Sequence, residues 1–165
     1  LNAFVAVFLF NEDQVLLLKR SDSRSFAPGK WTGVGGKVER VEFHDLTAAA
    51  IRELEEETGL ARQEILDLKL RVVLTQPESG DLVLVCFYSG RALRRVEGPC
   101  AEGLLSWEST TAIDDLEMIG NARCALKRIL SSGLDDDVVD FGICQSGPNG
   151  DQGDAVFLPY SHPFS

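Results

Sequence analysis

The order of polar and apolar residues predicts an α+β fold in which a mixed β-sheet is sandwiched between two helices. Three observations carry this expectation. Short β-branched and aromatic runs recur along the chain, two segments have helical periodicity, and strand-like runs stand on both sides of the first of them.

Taken in order, Phe4 to Phe10 (FVAVFLF) reads as a strand, and NEDQ turns the chain into VLLLKR as a hairpin. Residues 21–32 form a polar loop with Pro28 and Gly29. A helix follows from about Asp45 to Thr58, with Asp45 as its N-cap and Gly59 as its C-terminal stop. Leu68 to Gln76 and Leu82 to Gly90 read as strands joined by the turn PESGD. RALRRVEGPCAEG reads as a loop and LLSWES as a short strand. NARCALKRILS, from Asn121 to Ser131, has helical spacing, starts at an apparent Asn121 cap and stops at Gly133. Val138 to Cys144 and Ala155 to Leu158 are two last strands around SGPNGDQGD. No repeat or long linker divides the chain, so residues 1–165 are expected to form a single domain.

The net charge of −10 argues against a nucleic-acid polymer or an anionic membrane as partner, because both select basic surfaces. A small anionic ligand is compatible with that charge if divalent cations neutralise the site locally. No apolar run reaches the roughly 18 residues that span a bilayer. The apolar start lacks a basic leader region and reads as a strand. Cys86, Cys100, Cys124 and Cys144 form no CxxC pair, which disfavours zinc and fits a reducing, cytoplasmic setting. The expected state is monomer or homodimer.

The most informative stretch is GGKVERVEFHDLTAAAIRELEEETGL, residues 35–60. On a helix, Glu53, Glu56 and Glu57 share one face at i, i+3 and i+4, while Ile51, Leu54 and Ala50 can anchor the helix to the sheet. Glu55 is turned away and solvated. Three clustered carboxylates suit Mg²⁺ or Mn²⁺ bound jointly with phosphates. The spacing by itself suits a solvated acidic face equally well.

The surroundings separate the two. Arg52 to Leu60, RELEEETGL, resembles the second half of the Nudix box without a mismatch, and GGKVE at residues 35–39 is also typical of that family. The resemblance implies a Nudix α/β/α sandwich that hydrolyses nucleoside diphosphates linked to another moiety with Mg²⁺ (or Mn²⁺). It implies Glu53, Glu56 and Glu57 as metal ligands, Arg52 as the residue orienting a neighbouring glutamate, and the Gly36 carbonyl as a further ligand. In the left half of the box, covering residues 36–60, nine residues rather than seven separate Glu42 from Arg52. Counting back from Arg52 places His44 where the box glutamate stands. Either the longer loop still brings Glu42 to the site, or that carboxylate is missing and His44 has no catalytic task.

Further positions resemble MutT-type diphosphatases of oxidised purine nucleotides. By that resemblance Arg20, Trp31, Thr32, Lys37 and Asn121 are substrate-binding candidates, and Glu102 is an additional metal ligand. For Arg20, Glu102 and Asn121 a bland alternative stands beside this one: an exposed strand-end arginine, a loop glutamate, a helix cap. His162 reads as structural or incidental. The implied reaction releases a nucleoside monophosphate and pyrophosphate from a nucleoside triphosphate, with oxidised dGTP as a candidate. The alternatives are ADP-ribose or another nucleotide conjugate, and a non-catalytic nucleotide-binding domain.

Overall fold

The computed structural model describes residues 1–146 and 152–159. His162 and most of the turn SGPNGDQGD lie outside the described residues. In chain order the strands are β1 (Asn2–Asn11), β2 (Gln14–Arg20), β3 (Trp31–Thr32), β4 (Val34–Lys37), β5 (Ile65–Glu78), β6 (Asp81–Ala92), β7 (Gly98–Cys100), β8 (Gly103–Ser109), β9 (Asp140–Ser146) and β10 (Gln152–Phe157). Helix α1 spans Leu46–Thr58 and α2 spans Gly120–Ser132. The sheet order is β10-β9-β5-β6-β1-β2-β8-β7, with β3 on β2 and β4 on β1. The β1/β6 and β5/β9 pairs are parallel and the others antiparallel, so the sheet is mixed.

Alternation along the strands sends side chains to two separate apolar layers. On one face Val5, Val7, Leu9, Leu16 and Leu18 pack with Ala49, Ala50 and Leu54 of α1. On the other, Phe8, Leu17, Leu74 and Phe87 pack with Ala122, Ala125, Leu126 and Ile129 of α2. Phe8 and Phe87 stack with ring centroids 5.9 Å apart. The expected α/β/α sandwich is the fold of this chain.

Local signals place α1. The Asp45 side chain accepts from the Ala48 N–H at 3.1 Å, and Gly59 closes the helix in the left-handed region, φ 70°, with its N–H donating to the Glu55 carbonyl. One anchoring detail differs from expectation. Ala49 and Ala50 are fully buried with Leu54, whereas Ile51 is half-buried. Small residues let the helix axis approach the sheet closely, and the layer seals before it reaches Ile51.

Several boundaries also differ; β9 begins at Asp140 and β10 at Gln152, against the expected Val138 and Ala155. The loop expected after β6 contains the short strand β7, which among the described strands pairs with β8 alone. The polar loop before β4 ends in β3, which pairs Trp31 and Thr32 with β2. Helix α2 begins a residue earlier than expected, with Ile119 as its cap residue, so Asn121 lies inside the first turn.

The sheet forks along β1. Val7 to Phe4 pair with β4, whereas Leu9 to Asn11 pair with β2, which turns away to follow β8. A gap therefore opens between β4 and the pair β2/β3. That gap becomes the cleft.

Candidate active site

A cleft of about 390 Å³ occupies the fork on the α2 side of the sheet. Apolar groups from Phe4, Val83, Val85 and Ile119 line it, with Phe26 at the edge. Arg20, Thr32 and Asn121, expected from sequence at the substrate, lie on its walls, as does Gly36, expected as a metal ligand. Arg20 is held by its Nε donating to the Phe26 carbonyl at 2.9 Å and by stacking over the Phe26 ring at 5.6 Å.

Gly36 joins the cleft to the carboxylates of α1. It sits in β4 opposite Val5, and a Cβ there would lie 2.6 Å from the Glu53 carboxylate. Only glycine lets that side chain lie flat against the strand. Gly35 is tighter still, for a Cβ there would reach 1.9 Å from the Val5 carbonyl oxygen.

Arg52 organises the acidic turn. Its Nη1 donates to Glu53 at 2.8 Å and to Glu56 at 3.3 Å, and its Nη2 to the Lys37 carbonyl at 3.2 Å. The remaining edge grips Glu42 with both oxygens, Nε at 2.7 Å and Nη2 at 3.0 Å. The lead-in to the helix contains a 3₁₀ turn over Arg40–Glu42, and the Glu39 N–H donates back to Glu42 at 2.9 Å. That turn carries Glu42 to Arg52. Hydrogen bonds from Arg52 hold the Glu42 carboxyl below the usual range, and the Glu42 contact raises the guanidinium in turn. Burial raises the Glu53 carboxyl, opposed by its bond to Arg52.

His44 is exposed. Trp31 is not on the cleft wall: it packs against the α2-side layer, with Lys19 Nζ 5.8 Å from its ring, and its backbone pairs with Glu117 and Ile119. Its apolar bulk serves the core there. The Lys37 side chain is exposed and its backbone carbonyl makes the contact with Arg52. Glu102 forms an ion pair with Arg24, which also donates to the Ala101 carbonyl. Asn121 is not the helix cap; its Nδ2 donates to Gln76 Oε1 at 3.0 Å. Gln76, absent from the sequence-based candidates, did carry a signal: it is a polar residue in phase with buried Val72 and Leu74 on β5.

Residues 2–125 match the family model of the NUDIX domain. The chain belongs to the Nudix hydrolase family. A MutT protein from Bacillus halodurans has the same fold at a TM-score of 0.70 and 21% identity, over 98% of this chain and 100% of that one. The NUDIX domain of Shewanella oneidensis NrtR, solved with ADP ribose, is 14% identical with a TM-score of 0.63, over 79% of this chain and 86% of that one. The m7GpppN-mRNA hydrolase NUDT17 of Xenopus laevis is 48% identical over 52 residues. That match spans 32% of this chain and 17% of the length of that relative.

Nudix hydrolases generally use a divalent metal such as Mg²⁺, and the donors of α1 fit such an ion. They are hard oxygens, Glu57 Oε2 is buried without a hydrogen-bond partner, and at Gly36 no side chain intrudes on Glu53. Among the described residues no three His, Cys, Asp or Glu side chains converge as a ready-made cage. The Arg52 Nη1 binds both Glu53 and Glu56. The fit is one of donor type. No helix among the described residues is long and apolar enough to cross a membrane.

Proposed function

We propose that this Nudix hydrolase cleaves a phosphoanhydride bond of a nucleoside triphosphate, releasing nucleoside monophosphate and pyrophosphate, with oxidised dGTP among its substrates. The observation that carries this reading is the position of Gly36, which lines the base-sized cleft and also touches the Glu53 carboxylate. A nucleoside in the cleft would thus direct its phosphates toward the glutamates of α1.

Glu53, Glu56 and Glu57, with the Gly36 carbonyl, would hold Mg²⁺, or Mn²⁺ in its place. Bound there, the ion supplies charge neutralisation for the phosphates and a more acidic water. Arg52 keeps Glu53 and Glu56 in fixed rotamers, and Glu42 keeps Arg52 in its own. A carboxylate of the set accepts the proton of the attacking water as the phosphorus–oxygen bond to the leaving group breaks. The apolar cleft excludes water from one side of the nucleoside.

ADP-ribose, or another nucleotide conjugate, is the second reading, favoured by the ADP ribose bound to the NrtR domain of the same fold. A capped RNA, named for the Xenopus relative, also contains phosphoanhydride bonds. Product formation with Mg²⁺ should be measured over dGTP, oxidised dGTP, ADP-ribose and a capped dinucleotide, as pyrophosphate from the two triphosphates and as nucleoside monophosphate from all four. Preferential turnover of oxidised dGTP, lowered by roughly a hundredfold or more in Glu56→Gln, is the expected result. Undiminished Mg²⁺-dependent turnover in that variant would sink the assignment. Nucleotide binding with no turnover of any substrate would make this a binding domain.

A further inference from the structure

Two side-chain amides stand in the otherwise apolar part of the cleft. Gln76 and Asn121 are each 7% exposed, and both line the cavity. Gln76 comes from β5 and Asn121 from the first turn of α2. Apolar residues would join a strand to a helix here without the cost of burying two amides.

Each amide carries one acceptor oxygen and two N–H donors. The bond between them, 3.0 Å from Asn121 Nδ2 to Gln76 Oε1, uses one donor and one acceptor. It leaves the Gln76 NH₂ group and the Asn121 carbonyl without a partner among the described residues. Neither is sealed off, for the sealed and unpartnered side-chain atoms among the described residues belong to Glu57 and Arg71. The unspent groups therefore open on the cleft. Turning both amides over leaves the same inventory, at least one donor and one acceptor.

We infer that Gln76 is a specificity-determining residue, forming with Asn121 a fixed donor–acceptor pair that selects a nucleobase edge with an acceptor beside a donor. A ring carbonyl next to an N–H has such an edge, as does an amino group next to a ring nitrogen. The Gln76 NH₂ donates to the acceptor of the base, and the donor of the base is received by the Asn121 carbonyl. Selection works by penalty, since a ring lacking either group leaves a buried amide unpaired. Gln76 also keeps the Asn121 amide from rotating. The inference rests on the cleft's holding the base of a nucleotide, and is independent of hydrolysis.

The test is calorimetric binding, without added metal, of three 5′-monophosphates: guanosine, adenosine and purine riboside, the last lacking any exocyclic group. Wild type is expected to bind at least one of the first two roughly tenfold or more tightly than the third. In Gln76→Leu that gap should fall below about threefold. Gln76→Glu keeps the side-chain shape but loses its N–H donors, and should weaken the preferred ligand while the circular-dichroism spectrum stays native. An undiminished gap in either folded variant, no gap in wild type, or no binding of any of the three overturns the inference. Selective binding without hydrolysis of any nucleotide leaves it standing and removes the proposed reaction; hydrolysis without base selection does the reverse.

Discussion

Glu42 is bound at both oxygens by Arg52, at 2.7 and 3.0 Å, across a lead-in two residues longer than the Nudix pattern. The pair links the loop before α1 to the helix that carries the glutamates. Because the Glu42 carboxyl is held below its usual range, its contribution is complete above about pH 4.3 and is lost as pH falls through the lowered folded value. Glu42→Gln should therefore lower stability by about 1–3 kcal/mol at neutral pH. Urea denaturation from pH 7 down to pH 3 should show wild type and variant converging below about pH 4.3.

The adjacent glycines of β4 should separate catalysis from folding. A Cβ on Gly36 meets the carboxylate of Glu53, a side chain that can shift, whereas a Cβ on Gly35 meets the backbone of β1. Gly36→Ala should retain the fold and lose roughly tenfold to a hundredfold in kcat, through displacement of Glu53. Gly35→Ala should depress Tm or prevent folding. Parallel melting curves and steady-state rates on the two variants check both halves of this statement.

Arg71 is 1% exposed and binds neutral oxygens: Ser89 and Ser132 hydroxyls and the Gly133 and Leu134 carbonyls. It ties β5 and β6 to the C-terminal end of α2, where a positive charge is favoured by the helix dipole. Arg71→Met would strand those carbonyls and should cost about 2–4 kcal/mol, a fall in Tm of about 5–15 °C. The kcat measured well below the melting transition should stay near the wild-type value, since Arg71 does not line the cleft.

Burial pushes the Cys86 and Cys144 thiols up to about 11. The sign is that of a neutral thiol through the physiological range, with roughly one thiolate in a thousand at pH 8. Iodoacetamide at pH 8 should leave both unmodified in the native protein by mass spectrometry, and should label all four cysteines in urea. Rapid native labelling of either one would contradict the packing described for the two apolar layers.

The sequence by itself determined the parts of this protein that are built from neighbours. Asp45, Gly59 and the glutamates at 53, 56 and 57 specify α1, its ends and its acidic face, because caps and i, i+4 relations act within a few residues. The strand runs likewise announce the layers they face. Only the tertiary structure decided who meets whom across the chain. The partner of Glu102 is Arg24, the amide beside Asn121 belongs to Gln76, and the apolar bulk of Trp31 goes to the core and not to the cleft. The longer lead-in before α1 reads as a defect in one dimension, yet Glu42, at the end of its 3₁₀ turn, reaches Arg52. Such pairings depend on strand register and on the fork in β1, which are set by the packing of many distant side chains at once.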